Sequence, residues 1–172
     1  MLYAIIEIND QAIKKNYRLH AIISLLSQKT PWILLFAADY HRLWYYWMDL
    51  GLSCTRKPGV GDLILTVSDT LIAAQTSVIA AQALGLGSCY IGDIIENAEI
   101  HRELLKLPRY VFPAALLCFG YLPDHFSRPK TPRLPLDAIL HTNQYQKKKI
   151  IKMPYIPQNA VMKNFALIFP RK

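Results

Sequence analysis

Two kinds of hydrophobic pattern alternate along this chain. Leu2–Ile8 is short, rich in isoleucine and ends at Asn9-Asp10, the pattern of a strand followed by a helix cap. From Gln11 to about Gln28 the apolar positions Ile13, Tyr17, Leu19, Ile22, Ile23 and Leu26 recur at helical spacing, and Pro31 stops the run. Trp32–Ala38 is continuously apolar and of strand length, as expected for a strand covered on both faces. Asp39 ends it where a polar loop should begin. An aromatic-rich segment runs from His41 to Trp47, and Arg56–Asp62 reads as a loop because it contains Pro58, Gly59 and Gly61.

Asp69–Leu84 carries the strongest helical signal. Ala73, Ala74, Ala80, Ala81 and Ala83 make it slim, and apolar residues surround it almost completely. Such a helix belongs at the centre of a core or is shared with another subunit. Gly85-Leu86-Gly87 ends it, since glycine accepts the left-handed conformation at a helix C-terminus. No charge stands between Asp69 and Asp93, a length that a membrane span could use. Gln75, Thr76, Ser77, Gln82 and the glycines interrupt that stretch, so it reads as a buried helix followed by a strand at Ser88–Ile91. Asn97–Leu105 is amphipathic and stops before Pro108. Ala114–Tyr121 reads as a second buried strand, after which Pro123, Pro129, Pro132 and Pro135 mark irregular chain. This alternation predicts an α/β or α+β sheet protein without internal repeats.

Composition narrows the class. With 172 residues, 52% hydrophobic and 19% charged, the chain suits one globular domain and not a disordered one. Cys54, Cys89 and Cys118 are too widely spaced for a zinc site or a disulfide framework, and the N-terminus has no signal-peptide pattern. The chain therefore reads as reduced and cytoplasmic. Nearly all of the net charge of +8 sits beyond Ala138, where Lys147-Lys-Lys149 and Lys152 cluster without acids. A basic tail can attract RNA or membranes, but no nucleic-acid motif accompanies it, and neither partner is expected. His20, His41, His101, His125 and His141 lack the spacing of a metal site, and no metal is expected. Cys89 has nothing basic beside it in the sequence and reads as inert.

Two segments retain chemical interest. Gly85-Leu-Gly-Ser-Cys-Tyr-Ile-Gly-Asp93 is a glycine-rich exit from a helix, where a flat ligand could lie against the backbone. Lys130-Thr-Pro-Arg-Leu-Pro135 holds two cations on stiffened chain that could pair with a phosphate.

Together with Leu35-Phe-Ala-Ala-Asp39, Asp69-Thr-Leu-Ile-Ala-Ala-Gln75, Phe119-Gly-Tyr121 and His141-Thr-Asn-Gln-Tyr145, these segments resemble the nitroreductase family of FMN-dependent NAD(P)H oxidoreductases. The likeness runs from about Leu2 to Tyr145. It implies an α+β fold, with a mixed sheet flanked by helices and a central buried helix packed across a homodimer. Residues 1–145 would form that domain and 146–172 a basic C-terminal arm that could wrap a neighbouring subunit. The resemblance places Tyr90, Ile91, Gly92 and Asp93 beside the flavin ring of FMN, and Lys130 and Arg133 on its phosphate. It implies hydride transfer from NAD(P)H through flavin to a nitro compound, a quinone or another flavin; the flavin carries the chemistry, with no catalytic side chain.

The family also begins with helices bearing an Arg-Ser-x-Arg motif, before the strand that matches Leu2–Ile8. This sequence opens on that strand, which implies a shortened member without the main phosphate-binding arginines. Ser24 stands where the family often has Gln, and Lys130 is three residues before Arg133 where two is commoner. The alternative expectation is a non-catalytic dimer of the same fold that binds flavin weakly or not at all.

Overall fold

The computed structural model describes residues 1–14, 32–52, 56–122 and 134–147. The chain divides into two compact units, Met1–Leu122 and Pro123–Lys172.

The first unit is built on four strands: β1 (Tyr3–Glu7), β2 (Trp32–Asp39), β3 (Leu86–Ile91) and β4 (Val111–Tyr121). They lie in the order β1-β2-β4-β3, and every ladder among the described residues is antiparallel. β4, and β2 up to its last residue Asp39, are apolar because both strands are internal to the sheet. β4 begins at Val111, before the expected start at Ala114, and so runs through Pro113. The register explains how a central strand tolerates a proline. Phe36 faces Ala115 while Ala37 faces Pro113, so a bulge leaves Ala114 unpaired beside it.

Between β2 and β3 stand α1 (His41–Asp49) and α2 (Val60–Ala83). The aromatic-rich segment is therefore helical, and Asp39 does not open a loop. It is the last residue of β2, and its carboxylate accepts a hydrogen bond from Arg42 N at 3.1 Å. The Asp10 side chain similarly accepts from Ala12 N and Ile13 N at 2.7 and 3.1 Å, as expected of the cap there. The rest of the helix expected to run to Gln28 lies outside the described residues.

The long helix corrects a second expectation. It starts at Val60 instead of Asp69, so Val60–Asp62 belong to its first turn and not to a loop. Gly59 is the cap residue, and Asp62, three positions on, accepts its N–H at 2.8 Å. A carboxylate there both satisfies an orphan donor and sits favourably at the positive end of the helix.

One face of α2 packs on the sheet, where Ala74 and Ala81 meet Phe36, Ala115, Leu117 and Phe119. On β4 the odd residues from Ala115 to Phe119 thus point toward α2. Leu116 and Cys118 point to the other side, opposite Ile91 and Cys89 of β3. Two short helices, α3 (Asp93–Glu96) and α4 (Ala98–Leu104), pack against β4 and bury Ile94 and Ala98. Leu2 N donates to Asp69 at 2.7 Å, which ties the start of the chain to α2.

Within this chain α2 is not a buried helix. It is long and apolar enough to cross a membrane by length and composition, yet only 17% of its most apolar stretch is buried.

In the second unit, α5 (Leu136–Ile139) is a single turn following the extended Pro135. The rings of His141 and Tyr145 lie 4.6 Å apart.

Candidate functional site

β3 ends in the glycine-rich exit, and its strand geometry sorts the residues there. Tyr90 pairs with Leu117 and so points toward α2, where its hydroxyl donates to Gln75 Oε1 at 3.4 Å. Ile91 points the other way and is buried opposite Leu116. Gly92 follows as the cap residue of α3, with an ordinary φ of −73°. A Cβ built on Gly92 would meet nothing within 4 Å, so glycine keeps open space against the backbone here, not a strained turn. Asp93 Oδ1 accepts from Asn97 Nδ2 at 2.7 Å, while its Oδ2 is buried and has no hydrogen-bond partner among the described residues. Such an orphan acceptor costs about 1–3 kcal/mol until a donor reaches it.

Of the six expected site residues the structure describes four, the consecutive Tyr90, Ile91, Gly92 and Asp93, with Tyr90 and Ile91 on opposite faces of β3. Lys130 and Arg133 lie outside the described residues. Burial raises the pKa of Cys89, next to this site, as it does for Tyr90. Burial, with the neighbouring Cys89, pushes Cys118 up to about 12. Among the described residues no group of His, Cys, Asp or Glu could hold a metal ion.

The sequence did not announce a second concavity. A cleft of about 330 Å³ opens where the start of α2, the end of β2, the end of α4 and the start of β4 converge. Its wall includes Tyr40, Asp62, Leu63, Arg102, Arg109 and Tyr110. Asp62 is saturated: Arg56 grips both carboxylate oxygens, with Nη2 at 2.9 Å from Oδ1 and Nη1 on Oδ2, and Gly59 N donates at 2.8 Å. The Arg56 guanidinium, then the Gly59 N–H, and lastly the Tyr40 hydroxyl hold Asp62 well below the usual carboxylate range. The one available signal was Asp62 standing three residues after Gly59 and six after Arg56.

The first unit is thus an antiparallel α+β sheet in which a long apolar helix leads through a glycine exit into an edge strand. The nitroreductase family model matches residues 10–121, and the chain belongs to that family. It is 40% identical over 112 residues to the oxygen-insensitive NADPH nitroreductase of Salmonella typhimurium, covering 65% of this chain and 44% of that protein. It is 35% identical over 148 residues to the FMN reductase (NAD(P)H) of Bacillus subtilis, covering 82% and 56%. The solved NfrA1 nitroreductase of B. subtilis superposes with a TM-score of 0.77 at 30% identity, over 86% of this chain and 59% of that one. The chain thus spans about half the length of the curated relatives it matches.

Proposed function

We propose that this protein is an FMN-dependent oxidoreductase acting as a homodimer. It would take a hydride from NAD(P)H and deliver it to a nitro compound, a quinone or a flavin. The observation that carries the reading is the exit from β3: open space over Gly92, next to the exposed Tyr90. A flat heterocycle needs close approach to backbone, which open space over a glycine allows. The matching family and the name of the B. subtilis FMN reductase support the same cofactor.

FMN, when bound, supplies the two-electron chemistry. The chain's part is to hold and orient. Tyr90 and Gly92 would form the surface under the ring, Ile91 anchors that surface in the core, and Asp93 would fix its in-plane orientation. Lys130 and Arg133 are the proposed phosphate ligands, since guanidinium can pair with phosphate bidentately. The outer face of α2 supports association with a second copy, with the 146–172 arm as a further contact. A protein using NAD(P)H in this way belongs in the cytoplasm, where that cosubstrate is kept reduced.

Purification tests the reading. Yellow protein with about one flavin per protomer, bleached by NADPH or NADH under nitrogen, is the expected result. Colourless protein that takes up no added FMN would leave the non-catalytic alternative. Arg133→Ala should weaken FMN retention more than Lys57→Ala, which removes an exposed loop charge. Equal losses in an FMN titration would refute the phosphate assignment.

A further inference from the structure

The cleft at the start of α2 is chemically unbalanced. Its carboxylate, Asp62, is fully occupied by Arg56, Gly59 and Tyr40, so it presents no free negative charge to the interior. Two further arginines line the same space and form no ion pair with any described residue. Arg102 is half-buried, and its Nε is shielded from solvent without a hydrogen-bond partner. Arg109 is exposed and lies with its guanidinium carbon 4.8 Å from the centre of the Tyr110 ring.

The backbone holds this arrangement at a cost. Tyr110 has φ of 65°, the left-handed region that non-glycine residues avoid by roughly 1–2 kcal/mol. Tyr40 N donates to Tyr110 O at 3.1 Å, and Trp44 packs edge-on against the Tyr110 ring, centroids 5.9 Å apart. Strained backbone of this kind persists where the surroundings over-determine it, and such positions cluster at ligand clamps. The remaining walls are mainly apolar, with Ala38, Leu63, Val111 and Phe112 among them.

We infer that this cleft is a binding site for a small aromatic carboxylate, separate from the flavin site, with Arg102 and Arg109 taking the carboxylate. The planar guanidinium fork matches a carboxylate bidentately, and the apolar walls and Tyr110 ring suit a flat body. A volume of about 330 Å³ lies at the small end of ligand pockets and fits one or two rings. Inorganic phosphate satisfies the arginines but wastes the apolar walls, so it binds more weakly.

Fluorine NMR titration of the full chain tests this, with para-fluorobenzoate as the probe and para-fluorobenzamide as its neutral isostere. The benzoate should bind saturably, and the benzamide at least about tenfold more weakly. Arg102→Gln should weaken benzoate binding about tenfold, and Arg109→Gln by a smaller factor, while Lys57→Gln leaves it unchanged. Arg109 is exposed, so its variant decides the matter if Arg102→Gln does not fold. Added FMN should leave the benzoate affinity unaltered, and phosphate should compete only at higher concentration than benzoate. No saturable binding, equal affinity for benzoate and benzamide, displacement by FMN, preferential displacement by phosphate, or parent-like binding by Arg109→Gln would each overturn the assignment.

Discussion

Along one face of α2 stand Asp62, Thr66, Thr70, Ala74 and Ala81, all buried, with Ala74 and Ala81 packed on the first unit's own sheet. Along the other stand Ile64, Leu65, Ile72 and Ile79, with 62%, 59%, 67% and 60% of their surface exposed. A surface helix ordinarily shows the reverse, large apolar groups inward and small or polar groups outward. The small inner residues let the helix backbone approach the strands closely. The large outer ones cannot be meant for water. Completing the burial of these four would be worth roughly 4–7 kcal/mol by area, comparable with the whole stability of many domains, about 5–15 kcal/mol. The difference between the faces is that of a core helix with only half of its core present in the first unit. The proposed second copy, laid helix on helix, would supply the other half symmetrically.

The largest effect should come from putting a charge on the outer face. Ile72→Glu buries a carboxylate in the proposed interface, and sedimentation velocity should show the dimer replaced by monomer. A dimer that persists would place the interface elsewhere. Ala74→Leu acts on the inner face and sharpens the contrast. It inserts three carbons between α2 and Phe36, Leu117 and Phe119, and should lower unfolding stability by about 1–3 kcal/mol in a urea titration, with the oligomeric state unchanged. If Ala74→Leu dissociates the protein while Ile72→Glu does not, the two faces have been assigned the wrong way round.

That asymmetry also explains what the sequence could and could not disclose. β2 and β4 were legible because a central strand is continuously apolar, and only the bulge at Ala114 hid the start of β4. The start of α2 was obscured because Pro58, Gly59 and Gly61 carry turn chemistry. The capping role of Asp62 is a spacing signal that composition outweighs. Which side of α2 meets the sheet could not be read at all, since a helix that is apolar nearly all round has no periodic stripe to point inward. The exit at Tyr90–Asp93 was legible from its glycines. The second cleft was not: Tyr40, Asp62, Arg102 and Arg109 come from four separated segments, and only the fold brings them together.

The finest test of the inner face concerns its hydroxyls. Thr70 is fully buried, and its Oγ1 donates to Thr66 O, one turn back on the same helix, at 2.7 Å. That bond reaches no strand, so it does not fasten α2 to the sheet. Thr70→Val removes the donor but leaves Thr66 O its usual helical N–H, so no buried group is orphaned. The new methyl has nearly the volume of the lost hydroxyl and gains from burial, though valine gives up a little helix propensity. The expected change is therefore less than about 1 kcal/mol in either direction, read from the same urea titration as Ala74→Leu. A loss of about 2 kcal/mol or more would mean the hydroxyl makes a contact across the helix–sheet seam. The inner face would then owe its fit to polarity and not to small size.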